Sequence, residues 1–312
     1  MYNYPKDEIL IKSVRDGLVD EAHSGFIVFA NQAEYKNLKG EAGDYPFYMR
    51  SCAKPLQAAL LIDYGMDEFY QMTVEEIALC CASHAGEKVH TDILQCLLDK
   101  IGLDESCLKC SIHEPLSKTR QKELDYIGFN QLHNNCSGKH TMMLGLCKMN
   151  GWDIKNYDEP KHPLQIVIRE KIYELCEVKT EYPMTTDGCG VPIVSMPLHN
   201  MLKGYLSMFC SKKYKKIRDA FLNHPYLIGG EDRTDTKIIS QCGLIAKVGA
   251  GGLCIVINPE KSQGFIVKVT DCDMKARELV VIDLINKLGW ADIEADTSIK
   301  TLSGKIVGHY EF

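Results

Sequence analysis

The sequence has no surplus of positive charge. Lys and Arg total 36 against 42 Asp and Glu, a formal charge of -6 over 312 residues. A nucleic-acid binder needs a basic face to displace counterions from phosphate, so that class is excluded, although a small basic pocket for a small anion is not. Long apolar runs are missing too, and none approaches the roughly 18 residues of a membrane span. Within residues 1–20, Lys6, Asp7, Glu8, Lys12, Arg15 and Asp16 break up the apolar residues, whereas a secretory signal needs an uninterrupted apolar stretch. The expectation is a soluble, cytoplasmic protein. The chain also lacks internal repeats, low-complexity tracts and long linkers.

Cysteine, by contrast, is plentiful at 14 residues. That is still well under the ~8–10% that marks a disulfide scaffold. A chain of this length buries a sizeable core without disulfides, so reduced, mostly buried thiols are the ordinary reading. Cys80 and Cys81, in an apolar stretch, fit it. Cys107-Leu-Lys-Cys110 has CxxC spacing without the βαβ context of a redox motif. Cys136 and Cys189 differ, because each sits among small polar residues.

Periodicity places the elements. Residues 24–30 read as a buried strand within an extended first fifty residues. Residues 55–150 read as mostly helical, with a capping box at Thr73-Val-Glu-Glu76 and helices over 91–101 and 139–150 that stop at Gly102 and Gly151. A helix over 163–175 starts on Pro163. Helices over 196–209 and 213–223 follow, then strands over 243–249, 253–258 and 264–269, the last two as a hairpin, and a closing helix over 273–288. This order predicts an α+β fold: an antiparallel sheet from both chain ends with a helical region inserted. The expected organisation is a single two-lobed domain over 1–312, with a sheet lobe at about 1–50 and 190–312 and a helical lobe at about 51–189.

Several segments carry chemistry. Arg50-Ser-Cys-Ala-Lys-Pro55 puts Ser51 and Lys54 three residues apart where Pro55 marks a helix start. That spacing predicts both side chains on one side of the first turn, with lysine as the base for a serine hydroxyl and free backbone N–H groups for an oxyanion. Ser-x-x-Lys is common by chance, however. Ala82-Ser-His-Ala-Gly-Glu87 is a polar cluster that also reads as an ordinary helix end. Lys247-Val-Gly249 lies on a predicted strand, where glycine allows close approach of a ligand or another backbone. Ser-x-x-Lys, a later loop serine and a strand Lys-x-Gly is the element order of penicillin-binding proteins and class A β-lactamases, with Ser83-His84-Ala85 in place of Ser-x-Asn.

Three further clusters are polar. His133-Asn-Asn-Cys-Ser-Gly-Lys-His140 feeds a predicted helix, and Thr185-Thr-Asp-Gly-Cys-Gly-Val-Pro192 is a tight turn. As thiolates in one pocket Cys136 and Cys189 suit a soft metal such as zinc, though spacing alone favours two buried free thiols. Gly229-Gly-Glu-Asp-Arg-Thr-Asp235 offers Arg233 as a carboxylate clamp or as part of a solvated turn.

Taken in order, Arg-Ser-x-x-Lys-Pro, Ala-Ser-His-x-Gly-Glu, Asn-Asn-Cys-Ser-Gly-Lys-His and Asp-Gly-Cys-Gly-Val-Pro resemble the rhizobial-type L-asparaginases, the asparaginase II family. His162-Pro-Leu-Gln165, His224-Pro-Tyr-Leu-Ile-Gly-Gly230 and Lys247-Val-Gly-Ala250 agree. The resemblance implies the α+β fold of serine β-lactamases and glutaminases, a homodimer, and hydrolysis of the L-asparagine side-chain amide to aspartate and ammonia. It implies two Ser–Lys tandems, Ser51 with Lys54 and Ser83 with Lys247, and leaves open which serine is acylated. It implies zinc at Cys136, Lys139 and Cys189, with His140 and Asp187 beside a metal-bound water. Arg50, His84, Glu87, Asn135, His140, Asp187 and Arg233 complete the expected substrate-binding set. The chain departs from the family at Gly251, where Glu is frequent, and at Met142 and Met143. Other readings are a glutaminase, an amidase for a β-lactam-like amide, and a non-catalytic zinc or amino-acid binding protein.

Overall fold

The computed structural model describes residues 2–312. Its strands are β1 (Glu8–Arg15), β2 (Leu18–Asn31), β3 (Tyr35–Lys39), β4 (Phe47–Tyr48), β5 (Met184–Thr186), β6 (Pro192–Met196), β7 (Ile245–Gly249), β8 (Leu253–Asn258), β9 (Gln263–Val269), β10 (Ser298–Lys300) and β11 (Ile306–Glu311). Its helices are α1 (Lys54–Asp63), α2 (Met66–Phe69), α3 (Val74–Cys81), α4 (Lys88–Ile101), α5 (Lys118–Leu124), α6 (Ser137–Asn150), α7 (Pro163–Leu175), α8 (Leu198–Phe209), α9 (Lys215–Asn223), α10 (Pro225–Ile228), α11 (Thr234–Cys242) and α12 (Met274–Lys287). Helices separated along the chain from an antiparallel sheet make this an α+β protein.

The main sheet runs β10-β11-β1-β2-β9-β8-β7, with β3 also on β2, and every pair in it is antiparallel. β1 and β2 are joined by Asp16 and Gly17 at φ 47° and 77°, and Arg15 faces Leu18. An Asp-Gly pair with positive φ at both residues matches the right-handed twist of the flanking strands. The expected hairpin of β8 and β9 closes with Asn258 opposite Gln263. Along β9 successive residues face opposite sides of the sheet. A Cβ on Gly264 would meet Leu202 of α8, while Phe265 stacks on Trp290, just past α12, at 5.5 Å. Thus α8 covers one face and the α12 region the other.

The helical signals act as chemistry requires. Thr73 caps α3: its N–H donates to Glu76 Oε2 at 2.7 Å and its Oγ1 accepts from the Glu76 N–H at 3.3 Å. Gly102 and Gly151 end α4 and α6 at φ 71° and 68°, conformations that cost a β-carbon residue about 1–2 kcal/mol. Two expectations need correction. Met196 belongs to strand β6, and the helix starts at Leu198, because Pro197 lies between them in an extended conformation. The C-terminal hairpin of β10 and β11 follows the closing helix. None of its strand residues is buried, so it carries little apolar alternation to read.

α1 runs through the middle of the protein, with Lys54 to Leu61 all buried. α6 lies against α3 so closely that a Cβ on Gly138 would sit 2.1 Å from the Leu79 carbonyl oxygen. That contact explains the glycine in Cys-Ser-Gly-Lys, and it fixes the first turn of α6 beside the end of α3. No helix among the described residues is long and apolar enough to cross a membrane.

Candidate active site

Ser51 lies in a tight 3-10 turn, Arg50–Ala53, that leads into α1. Arg50 opens the turn at φ 50°, a strained conformation for a non-glycine residue of the kind that collects at functional sites. The turn changes the expected pairing. Ser51 is partly exposed, and its hydroxyl has no hydrogen-bond partner among the described residues. Lys54 reaches past it: Nζ donates to the Ala82 carbonyl at 2.7 Å, the Asn135 carbonyl at 2.9 Å and Ser83 Oγ at 3.0 Å.

Ser83 follows the end of α3 and is held by its N–H to the Ile228 carbonyl at 3.0 Å. Lys247, in the middle of β7, approaches the same hydroxyl. Its Nζ lies 3.0 Å from Ser83 Oγ, 3.0 Å from the Val248 carbonyl and 3.4 Å from Asp235 Oδ2. Both amines are 3.0 Å from one oxygen, so they are at most about 6 Å apart. Lys54, Ser83 and Lys247 are 1%, 2% and 0% exposed. Burial is the main reason Lys54 is lowered to about 8, and the charges of Lys247 and Lys139 act the same way against the opposing Cys136 and Cys189.

The second cluster is sulfur-rich. Cys136 stands at the start of α6, Lys139 in its first turn, and Cys189 in the turn between β5 and β6. Lys139 Nζ donates to Cys189 Sγ at 3.0 Å. A hydrogen bond from the Cys189 thiol holds Cys136 well below the ordinary thiol range, and the ammonium groups of Lys54 and Lys139 add to the effect against burial. The donor role and burial push Cys189 up. Lys139 is raised, because the two sulfurs outweigh its burial.

Beside this pair, His140 is fully buried. Its Nδ1 meets the Tyr157 hydroxyl at 2.7 Å, and its Nε2 has no partner among the described residues. Arg50 Nε donates to Asp187 Oδ1 at 2.7 Å. Burial would raise Asp187, but Lys139 and Arg50 hold it below the usual carboxylate range. No group of three or more His, Cys, Asp or Glu suited to a metal ion occurs among the described residues. The expected set is of another kind, two sulfurs and one amine. Its chemistry fits a borderline-soft ion such as zinc once the lysine gives up its proton, and His140 with its orphaned Nε2 follows Lys139 in the chain.

The other expected residues have the following surroundings. His84 Nδ1 accepts from the Gly86 N–H at 3.1 Å and its Nε2 meets Ser137 Oγ at 2.9 Å, so both ring nitrogens are engaged. Glu87 accepts from the Tyr226 hydroxyl and from the Glu231 N–H at 3.2 Å, pinning the loop before α11. Asn135 contributes its backbone, with its carbonyl on Lys54 and its N–H on His113 Nε2 at 3.2 Å. Arg233 lines a surface cavity of about 390 Å³ with Val248, Asp273 and Arg277. It also lines a cavity of about 460 Å³, whereas those of about 800 and 650 Å³ hold none of the candidate residues. Gly251 sits in the turn between β7 and β8 at φ 75° with open space around it.

Sequence reasoning missed Tyr157 and Asp235. Tyr157 comes from the loop after α6, and its hydroxyl also accepts from the Lys109 N–H at 2.7 Å; nothing local marks it. Asp235 had a signal, as an acidic residue two positions past Arg233 in a glycine-led turn.

The family model described as L-asparaginase II matches residues 11–310. No curated protein matches the chain.

Proposed function

Because the chain belongs to the L-asparaginase II family, and is thereby an asparaginase-type amidohydrolase, we propose that it hydrolyses the side-chain amide of L-asparagine to L-aspartate and ammonia by serine–lysine acyl transfer. The observation that carries this reading is the convergence of two buried lysines, Lys54 and Lys247, on one serine hydroxyl, 3.0 Å from each. A serine attacks an amide only when its proton has somewhere to go. A buried amine with neutral acceptors is such an acceptor, and Lys54 has only two carbonyls and a hydroxyl.

In this reading Ser51 is the attacking residue, since it is the partly open hydroxyl, whereas Ser83 is 2% exposed. Lys54, which contacts Ser83 Oγ at 3.0 Å, turns back toward Ser51 during turnover, takes its proton and later delivers it to the leaving ammonia. Ser83 and Lys247 form the other tandem on Lys54's far side, where the positive charge of Lys247 favours Lys54 as a neutral base. Backbone N–H groups of the 3-10 turn serve the oxyanion. Cys136, Lys139 and Cys189 would hold zinc, and the bound ion would supply a fixed positive charge for orienting the substrate's polar ends. The reading includes one two-lobed catalytic domain of the serine β-lactamase and glutaminase kind, acting as a cytoplasmic homodimer; the resemblance of the motifs supports the fold and the dimer, and composition supports the location.

The test is ammonia release from L-asparagine by the purified protein, with L-glutamine alongside and with ring opening of a β-lactam followed separately by absorbance. One methylene separates asparagine from glutamine and is worth about 1–3 kcal/mol in a pocket, so kcat/KM should favour asparagine by at least tenfold. Thermal stabilisation by asparagine without ammonia release would overturn the enzyme reading in favour of a binding protein.

A further inference from the structure

We propose that Asp235 is a positioning residue for this site, holding Lys247 as an ammonium aimed at Ser83. The inference rests on the amidohydrolase reading for its kinetic consequences and on the geometry alone for the pairing.

Asp235 lies in the first turn of α11 and is 0% exposed. Its Oδ2 is 3.4 Å from Lys247 Nζ and 3.5 Å from the Val248 N–H. Its Oδ1 has no hydrogen-bond partner among the described residues. A carboxylate with so few hydrogen bonds is costly to bury unless a cation faces it, and Lys247 is the cation at contact distance. The chain makes room for this arrangement. A Cβ on Gly229 would meet Asp235 Oδ1 at 2.7 Å, so the glycine of the turn before α11 is needed to admit the carboxylate.

The charges around Lys247 are few. Lys54 faces it from α1, and Arg277 lies nearby on α12, with Nη1 3.4 Å from the Gly249 carbonyl. The thiols of Cys52, Cys81 and Cys254 complete the surroundings. Burial pushes Cys52 and Cys81 up to about 12 and raises Cys254, so all three stay neutral. Asp235 is therefore the negative charge beside Lys247. Two ammonium groups within about 6 Å repel strongly in a buried site. A carboxylate placed on one of them breaks the symmetry: it fixes Lys247 as the charged member and directs its remaining N–H groups to Ser83 and the Val248 carbonyl.

The experiment compares Asp235→Asn and Asp235→Glu with the wild type, reading kcat and KM for L-asparagine across pH. In Asp235→Asn, kcat should fall roughly 10- to 100-fold with KM within about threefold. The alkaline limb of kcat should move down by roughly one to three pH units, the span an adjacent opposite charge supplies. Asp235→Glu should recover part of the loss. A folded Asp235→Asn with wild-type kcat and an unshifted profile would overturn the proposal. Melting temperatures of Asp235→Asn, Lys247→Met and the double variant decide the pairing even if a single variant misfolds or no substrate is turned over. The double variant should regain stability over the singles, because it leaves neither charge unpaired; strictly additive losses would overturn the pairing.

Discussion

Arg50 Nε and Asp187 Oδ1 meet at 2.7 Å and join two turns that lie far apart in sequence. One carries Ser51 and the other Cys189. This ion pair therefore links the serine turn to the thiol cluster mechanically, and half of it is buried: the Asp187 side chain is 8% exposed and that of Arg50 38%.

Asp187→Asn should disturb both sites at once. It removes the charge that Arg50 and Lys139 share while keeping the shape. A charge-assisted hydrogen bond of this kind contributes about 1.5–3 kcal/mol, so kcat/KM should fall about 10- to 100-fold. Steady-state kinetics beside a melting curve would show whether the loss is local; an unchanged kcat/KM would remove the coupling argument.

Ser51→Ala and Ser83→Ala separate the two serines. Ser51→Ala should lower kcat by roughly 10³-fold or more, as expected for a nucleophile within a concerted unit. Ser83→Ala should also impair turnover, because it removes the hydroxyl between Lys54 and Lys247. Trapping of an acyl-enzyme in Ser51→Ala would reassign the attack to Ser83.

Metal content provides a separate check. Zinc should copurify at close to one ion per chain and should be lost in Cys136→Ala and in Cys189→Ala. Elemental analysis of the three proteins measures this directly. Equal zinc in all three would place any metal elsewhere.

Acid should destabilise the protein from near neutrality. His84 is held well below 6.5, chiefly by burial and further by the charges of His90 and Lys54. Below about pH 6.5 the unfolded chain takes up a proton that the folded ring refuses, so stability falls as pH drops, by up to about 1.4 kcal/mol per pH unit for each such group. Denaturant unfolding between pH 7 and 5 should therefore show a steep slope that is shallower in His84→Gln. Identical slopes would mean that His84 makes no such contribution.

Gly138→Ala tests the packing that seats the thiol cluster. With a β-carbon only 2.1 Å from the Leu79 carbonyl oxygen, α6 must shift or the helix strain. Overpacking of this kind costs typically about 1–3 kcal/mol, visible as a lower melting temperature.

Local rules made much of this fold legible. The Thr73–Glu76 capping box, the glycine stops at Gly102 and Gly151 and the β8–β9 hairpin each depend on neighbours in sequence, and each formed. The site was legible as a list of motifs but not as a set of partners. Ser51 and Lys54 look like one helical pair, yet the 3-10 turn lets Lys54 cross to Ser83, a partner on another element. Asp235 stood in a legible turn, but its role did not show for the same reason, since its meaning lies in Lys247 on a neighbouring strand. Helix 196–209 misplaced its first residues because apolar Met196 suits a strand equally well, and the proline after it decided the boundary.

The pairing of β2 with β9 sets Gly25 opposite Val269, and β1 takes β11 as its other neighbour, Lys12 opposite Glu311. During synthesis the first hairpin thus leaves the ribosome with its apolar residues, Phe26 and Val28 among them, and although β3 follows at once, it waits through more than two hundred residues for β9 and β11. Contacts of such long sequence separation close slowly, and the exposed edge of β2 is a template for the wrong strand in the meantime. Speed of translation and access to a chaperone should therefore govern the yield of active protein more strongly than they would for a helical chain of equal length.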